Sequence, residues 1–155
     1  MKWELRDYDS ADFEQLWRLD QACFSPAIAY SRAELAHYLG SPNATCLLAV
    51  KGKQTLGFIV GHHARQYLGH IVTLDVDASA RRSGLGSVLI TALEARLSGQ
   101  GCRSVVLEVA VDNHAAIAFY KKHRYAVLKT LSRYYPAELD GLMMGKTLSA
   151  NENPL

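Results

Sequence analysis

Four stretches of this 155-residue chain carry residue types and spacings that could do chemistry. The first is Val76-Asp-Ala-Ser-Ala-Arg-Arg-Ser-Gly-Leu-Gly-Ser87, where an apolar, strand-like run meets a helix-like run through two close glycines. Amides at a helix start have no partners inside the helix, and glycine lets that backbone approach a ligand, so a phosphate can bind there. Arg81 and Arg82 add positive charge at the same spot. The second is Glu108, the one acid in the apolar run Ser104 to Val111, on the same strand face as Val106 and Ala110. Desolvation would raise its pKa toward the range of a base working at neutral pH; an acid paired with a Lys or Arg is the plainer alternative. The third is His70, a competing base because imidazole titrates near neutrality, with a structural histidine as its alternative. The fourth is the apolar and aromatic loop Phe24 to Tyr30, which either packs or lines a substrate groove.

Gly84-x-Gly86 alone does not say which anion binds. The dinucleotide fingerprint needs a third glycine at position 89, where this chain has leucine, and the P-loop needs Gly-Lys followed by Ser or Thr. The six histidines, at 37, 62, 63, 70, 114 and 123, show no metal-binding spacing, so no metal is expected. His62-His63 reads as a strand pair with one ring on each face.

These residues need elements to hold them. Trp3 and Leu5 alternate with charged neighbours, which predicts a first strand with one face buried. Ser10 is the expected N-cap of a helix through Phe13, Leu16, Trp17 and Phe24, closed by Pro26. Ser31-Arg-Ala-Glu34 has a capping-box pattern that predicts a helix to Leu39. Cys46 to Val50 and Thr55 to Gly61 predict a hairpin around Lys51-Gly52-Lys53, followed by a strand from His70 to Val76. Leu85, Leu89, Leu93 and Leu97 predict the core face of a helix that ends at Gly99-Gln-Gly101. Ser104 to Val111 suits a central strand covered on both sides, and Asp112-Asn113 caps a helix running to His123. Tyr125 to Leu131 and Leu142 to Leu148 are expected as closing strands around a loop that holds Tyr134, Tyr135 and Pro136. The order is that of a mixed, α+β-like α/β fold.

A chain of this length matches one domain, expected over residues 1–148 with a flexible tail at 149–155. The formal net charge of +2 is far from the basic excess that nonspecific nucleic-acid binding uses. Apolar runs are too short to cross a bilayer, and three cysteines without paired spacing suit a reducing compartment, so a cytoplasmic protein is expected, as a monomer or homodimer. Cys102 has no base nearby in sequence, so no covalent cysteine step is expected from it.

Arg81-x-x-Gly84-x-Gly86 after a strand resembles the pyrophosphate loop of the GCN5-related N-acetyltransferase (GNAT) family, which binds acetyl coenzyme A. Gly69-His-Ile-Val-Thr-Leu-Asp-Val76 is similar to the strand before that loop in protein N-terminal acetyltransferases. Leu107-Glu-Val-Ala-Val-Asp-Asn-His-Ala-Ala-Ile-Ala-Phe-Tyr120 is similar to their next strand and helix, closest to the ribosomal-protein-alanine type. The resemblance implies a single GNAT-type domain, with a mostly antiparallel sheet flanked by helices on both faces. It also implies acetyl-CoA as co-substrate and a primary amine as acceptor, here a protein or peptide N-terminus.

By the same resemblance the backbone of Leu74 and Val76 lies along the acetyl end, and Arg81, Arg82, Ser83, Gly84, Leu85, Gly86 and Ser87 hold the pyrophosphate. Asn113 bonds the pantetheine arm, Tyr120 donates the proton to the departing thiolate, and Glu108 is the base. Tyr134 and Tyr135, with Tyr30, lie over the acceptor. Pro136-Ala-Glu-Leu-Asp140 and Pro26-Ala-Ile-Ala-Tyr30 depart from the family's pattern at the acceptor end. The alternatives are a small amine or a lysine side chain as acceptor, and a noncatalytic acyl-CoA binder or sensor.

Overall fold

The computed structural model describes residues 2–148, and the expected tail at 149–155 lies outside the described residues. Seven strands form one sheet in the order β1-β2-β3-β4-β5-β7-β6. They are β1 (Glu4–Asp7), β2 (Ala44–Lys51), β3 (Gln54–Arg65), β4 (Leu68–Val76), β5 (Ser104–Ala110), β6 (Ala126–Tyr135) and β7 (Leu139–Thr147). Neighbours pair antiparallel except β4 and β5, which are parallel. Four helices cover it: α1 (Phe13–Cys23), α2 (Arg32–Leu39), α3 (Leu85–Gly99) and α4 (His114–Lys122).

Period-2 alternation along the strands divides the core in two. Cys46, Leu48 and Val50 of β2, with Phe58 and Val60 of β3, pack with Leu16 and Leu19 of α1 and Leu35 of α2. Leu47, Ala49 and Ile59 go to the opposite face, with the leucine row of α3. Helices on both faces are therefore as the resemblance implied. The α3 row, Leu85, Leu89, Leu93 and Leu97, is almost fully buried. Three strand glycines let it sit close: a Cβ on Gly57, Gly61 or Gly69 would lie 2.6, 2.7 or 2.9 Å from a side-chain atom of Leu85, Leu93 or Leu97.

Three local expectations are corrected. Ser10 does not cap α1; Asp9 accepts from Ala11 N–H and shares a capping box with Asp12 around a short 3₁₀ turn, Ser10–Asp12, that leads into the helix. Asp12 also takes two bonds from Arg6, which hold its carboxyl below the ordinary carboxylate value. All four residues of β1, the edge strand, are exposed, Leu5 included, and of the two expected apolar residues only Trp3, just before the strand, packs partly buried against the core. Tyr134 and Tyr135 belong to the end of β6, not to a loop; the connection to β7 shrinks to Pro136–Glu138, with Ala137 and Glu138 at φ of +63° and +60°. The Ser31–Glu34 capping box is present as expected.

The feature that makes room for a site is the seam between β4 and β5. Their pairing stops at His70↔Val106 after three residue pairs. On its other side β4 gains one residue, Val72, since Val60 pairs with Thr73 but Gly61 with Ile71. A bulge bends the strand that carries it, so β4 turns away from β5 where the pairing ends. The two strands then bound a groove of about 1310 Å³.

Candidate active site

At one end of the groove stands the start of α3. Gly84 is its N-cap, at φ +85°, and no side chain caps the first amides. Any other residue there would be held in the left-handed region. A Cβ on Gly86 would lie 3.3 Å from the Phe119 ring, so the backbone here has open space only because no side chain fills it. Arg81 Nε donates to Val76 O at 3.1 Å, which ties the loop to the end of β4, while Arg82 is exposed. Ser87 Oγ meets His123 Nε2 at 2.8 Å. Arg81, Arg82, Gly84, Leu85, Gly86 and Ser87 all line the groove; Ser83 does not, because its hydroxyl turns inward to donate to Ala80 O. This is a fit for an anionic coenzyme: unpartnered amides, a glycine cradle and two cations at one mouth.

Along the middle of the groove, β4 supplies backbone. The Asp77 amide donates to Leu56 O, on the β3 side, so by strand alternation the polar groups of Val76 and Leu74 face the other way, toward the parted β5. The carbonyls agree, since Val76 O accepts from Arg81 and from Cys23 Sγ, and Val72 O accepts from the Tyr30 hydroxyl at 3.1 Å. The Leu74 and Val76 amides have no β5 partner there. Across the groove, Asn113 caps α4 by accepting from Ala116 N–H through Oδ1, which leaves its amide nitrogen for a second task. Tyr120 is buried against Phe119 and Tyr125, and its hydroxyl has no hydrogen-bond partner among the described residues. Burial, and after it the nearby Asp75, pushes this phenol above its ordinary pKa, so it is protonated at neutral pH.

At the far end the polar groups come from many elements. Glu108 of β5 lines the groove; His70 does not, and stands behind it with Nε2 2.7 Å from Glu108 Oε1. The two candidate bases are thus one bonded pair. His70 is bonded in turn through Nδ1 to His62 Nε2 at 3.0 Å. Tyr30, Tyr134 and Tyr135 line the same end, the last two edge-on at 4.9 Å. Tyr30 is fixed at its amide, carbonyl and hydroxyl by Asp20, Gln21 and Val72, so the loop Phe24 to Tyr30 lines the groove and is pinned as well.

Sequence reasoning missed three groups. His62 reads as a paired strand histidine, and only the register that sets it opposite His70 brings it to the site. Cys23 lines the groove, its thiol pushed up to about 11, chiefly by burial and then by Asp75. Asp75 of β4 and Asp20 of α1 are completely buried together, and Asp20 Oδ1 and Asp75 Oδ2 have no partner among the described residues. Burial, then Asp20, holds the Asp75 carboxyl well above its ordinary value, so Asp75 keeps its proton beyond the ordinary carboxylate range. An acid flanked by Leu74 and Val76 was a legible signal of the same kind as Glu108. Cys102 is buried against Leu97 and Gly69, away from the groove. No group of three or more His, Cys, Asp or Glu that could hold a metal occurs among the described residues, and no described helix is long and apolar enough to cross a membrane.

Known proteins share this fold. Ard1 from Thermoplasma volcanium superposes with a TM-score of 0.85 at 27% identity, over 96% of this chain and 99% of that one. The ribosomal-protein-S18-alanine N-acetyltransferase from Escherichia coli has the same fold, with a TM-score of 0.85 at 20% identity over 96% and 95% of the two chains. N-alpha-acetyltransferase 30 of Homo sapiens is 32% identical over 120 residues, 74% of this chain, which spans about a third (33%) of that protein's length. The family model described as the acetyltransferase (GNAT) family matches residues 13–125, well over half of the sequence. With the parted parallel strands and the glycine-led helix between them, this match settles the family: the chain belongs to the acetyltransferase (GNAT) family.

Proposed function

We propose that the protein is an acetyl-CoA-dependent N-acetyltransferase whose acceptor is the α-amino group of a protein or peptide, with transfer direct between the two substrates in one groove. The observation that carries the reading is that Glu108 and the protonated Tyr120 phenol line one groove, with the inward-facing amides of β4 between them. The coenzyme brings a thioester, whose carbonyl accepts the amine nitrogen and whose sulfur leaves. Within this chain, Arg81, Arg82 and the amides from Gly84 to Ser87 would hold the pyrophosphate, and the Asn113 amide nitrogen the pantetheine arm. The Val76 N–H would donate to the carbonyl oxygen as it gains charge; loss of one such donor typically costs ~10²–10³ in rate.

Glu108 would take the ammonium proton, with His70 behind it, and the Tyr120 hydroxyl would give its proton to the thiolate. Cys23 supports direct transfer, because a thiol with a pKa of about 11 is scarcely ionised at neutral pH and is a poor nucleophile. An α-amino group, with an intrinsic pKa of ~7.7–8 against ~10.4 for lysine, suits a carboxylate base. The name of the human relative, an N-alpha-acetyltransferase, points the same way. Three free cysteines are consistent with a cytoplasmic setting, and residues 1–148 are assigned to one catalytic domain.

The test is acetyl-CoA turnover against a peptide library with free and blocked N-termini, read by mass. Acetylation of free N-termini is expected. Modification of blocked peptides only, at lysine, would overturn the N-terminal assignment.

A further inference from the structure

The His70 ring is bonded at both nitrogens, to Glu108 Oε1 at 2.7 Å and to His62 Nε2 at 3.0 Å. A carboxylate oxygen offers only lone pairs, so the hydrogen of the first contact sits on His70 Nε2 whenever Glu108 is ionised. The second contact holds one hydrogen and has two places for it. On His62 Nε2, it leaves both rings neutral. On His70 Nδ1, it makes His70 an imidazolium, and neutral His62 then carries its own hydrogen on Nδ1. The two arrangements differ by one proton, and no heavy atom need move. The sheet builds this row of three: His62 and His70 lie directly opposite across β3 and β4, and His70 is the last β4 residue paired with β5, beside Val106 and two residues from Glu108.

From this geometry we infer that His62 is a positioning residue of the transfer reaction. It holds the Nδ1 side of the His70 ring, so that the Nε2–H stays aimed at Glu108 Oε1 and the other carboxylate oxygen, Oε2, is free for the acceptor's proton. In that step the ammonium N–H bond breaks, an O–H bond forms on Glu108 Oε2, and the nitrogen keeps the electron pair that attacks the thioester. The inference rests on the reading of Glu108 as the base. The charged or titratable neighbours are Glu108 on β5, His70 on β4 and Tyr38 on α2, whose ring stands 6.3 Å from His62, with Tyr134 and Tyr135 of β6 close to Glu108. Burial, and then the like charge of His70, holds His62 below the usual imidazole value, so His62 itself is neutral near pH 7.

The test compares pH–rate profiles of variants at His62. His62→Ala should lower kcat roughly tenfold, less than the ~10²–10⁴ typical of losing a general base, with coenzyme Kd and Tm unchanged. His62→Gln can donate to or accept from His70 but cannot titrate. It should restore most of the plateau kcat, while the ionisation that His62 contributes is lost from the acidic limb of the kcat profile. A wild-type kcat in His62→Ala across the pH range would overturn the inference, as would a failure of His62→Gln to restore the plateau kcat. Glu108→Gln separates this from the parent reading. A wild-type rate there overturns the base assignment itself, whereas a lost rate there beside a wild-type His62→Ala overturns only the role of His62.

Discussion

The two ends of the groove are built by different means. The coenzyme end is made of backbone: Gly84 at φ +85°, the bare Gly86 cradle and amides from one continuous stretch. The acceptor end is made of side chains from the loop after α1, from α2 and from strands β3, β4, β5 and β6, and it holds Arg133, Ala137 and Glu138 at positive φ without a glycine among them. Left-handed backbone costs a residue with a Cβ roughly 1–2 kcal/mol. The coenzyme end avoids that cost at Gly84 and carries it once, at Arg82 with φ +62°, while the acceptor end carries it three times. An end made from one continuous stretch can be written in a short motif, whereas one made from six separate elements is assembled by the fold.

The sharpest way to test this division is Tyr120→Phe, which lies between the two ends and serves neither as a binding group. Turnover should fall by ~10²–10⁴, the usual weight of a general acid, with the Kd of coenzyme and the KM of acceptor nearly unchanged. Stopped-flow turnover with calorimetric coenzyme binding checks this, and an unchanged kcat removes the acid role.

Gly84→Val comes next, because a β-branched residue at φ +85° is strained by ~1–3 kcal/mol or forces the loop to move. Coenzyme affinity should drop tenfold or more while acceptor KM holds. Equal losses at both ends would dissolve the contrast between them.

Asp75→Asn probes the strand that both ends share. The folded Asp75 carboxyl sits above its ordinary value of 3.8, so the stability it contributes is complete below that pH and is lost as pH rises toward the folded value. The loss runs at up to about 1.4 kcal/mol per pH unit. An asparagine can donate to Asp20 and has no such slope, so the variant should gain on wild type steadily with pH across that window. Denaturant unfolding at a series of pH values measures it; parallel curves would mean that the folded Asp75 carboxyl is not raised.

The same contrast explains what the sequence made legible. The α3 leucines, the capping box at Ser31 and the Gly84-x-Gly86 loop are local patterns, and each appears where its spacing puts it. Glu108 and Asp75 both announced themselves as acids in apolar strands, yet nothing local told a groove-facing acid from one sealed under α1. His62 is the clearest case of hidden information. Its partner is fixed by the β3–β4 register, and the register depends on a bulge at Val72 that no residue type marks. Ser10 and Leu5 failed for a related reason: Asp9 offered an equally good cap one residue earlier, and alternation cannot tell an edge strand from a central one.

The smallest effect expected is at Tyr134, and it bears most directly on the acceptor end. The ring is half exposed and meets Tyr135 edge-on at 4.9 Å, with Gly141 beneath it; a Cβ there would lie 3.3 Å from the Tyr134 side chain. An aromatic pair of this kind is worth ~0.5–1.5 kcal/mol beyond its buried area. Removing one ring therefore should not unfold the hairpin, whose turn is also tied by Arg133 N–H to Asp140. Tyr134→Ala should raise the acceptor peptide's KM about three- to tenfold, with kcat, coenzyme Kd and Tm close to wild type. A fall in kcat with KM intact would place Tyr134 among the groups that act on the transition state. A wild-type KM would place the peptide elsewhere in the groove, on the Tyr30 and Tyr38 side, where α2 and the pinned loop would have to supply the specificity alone.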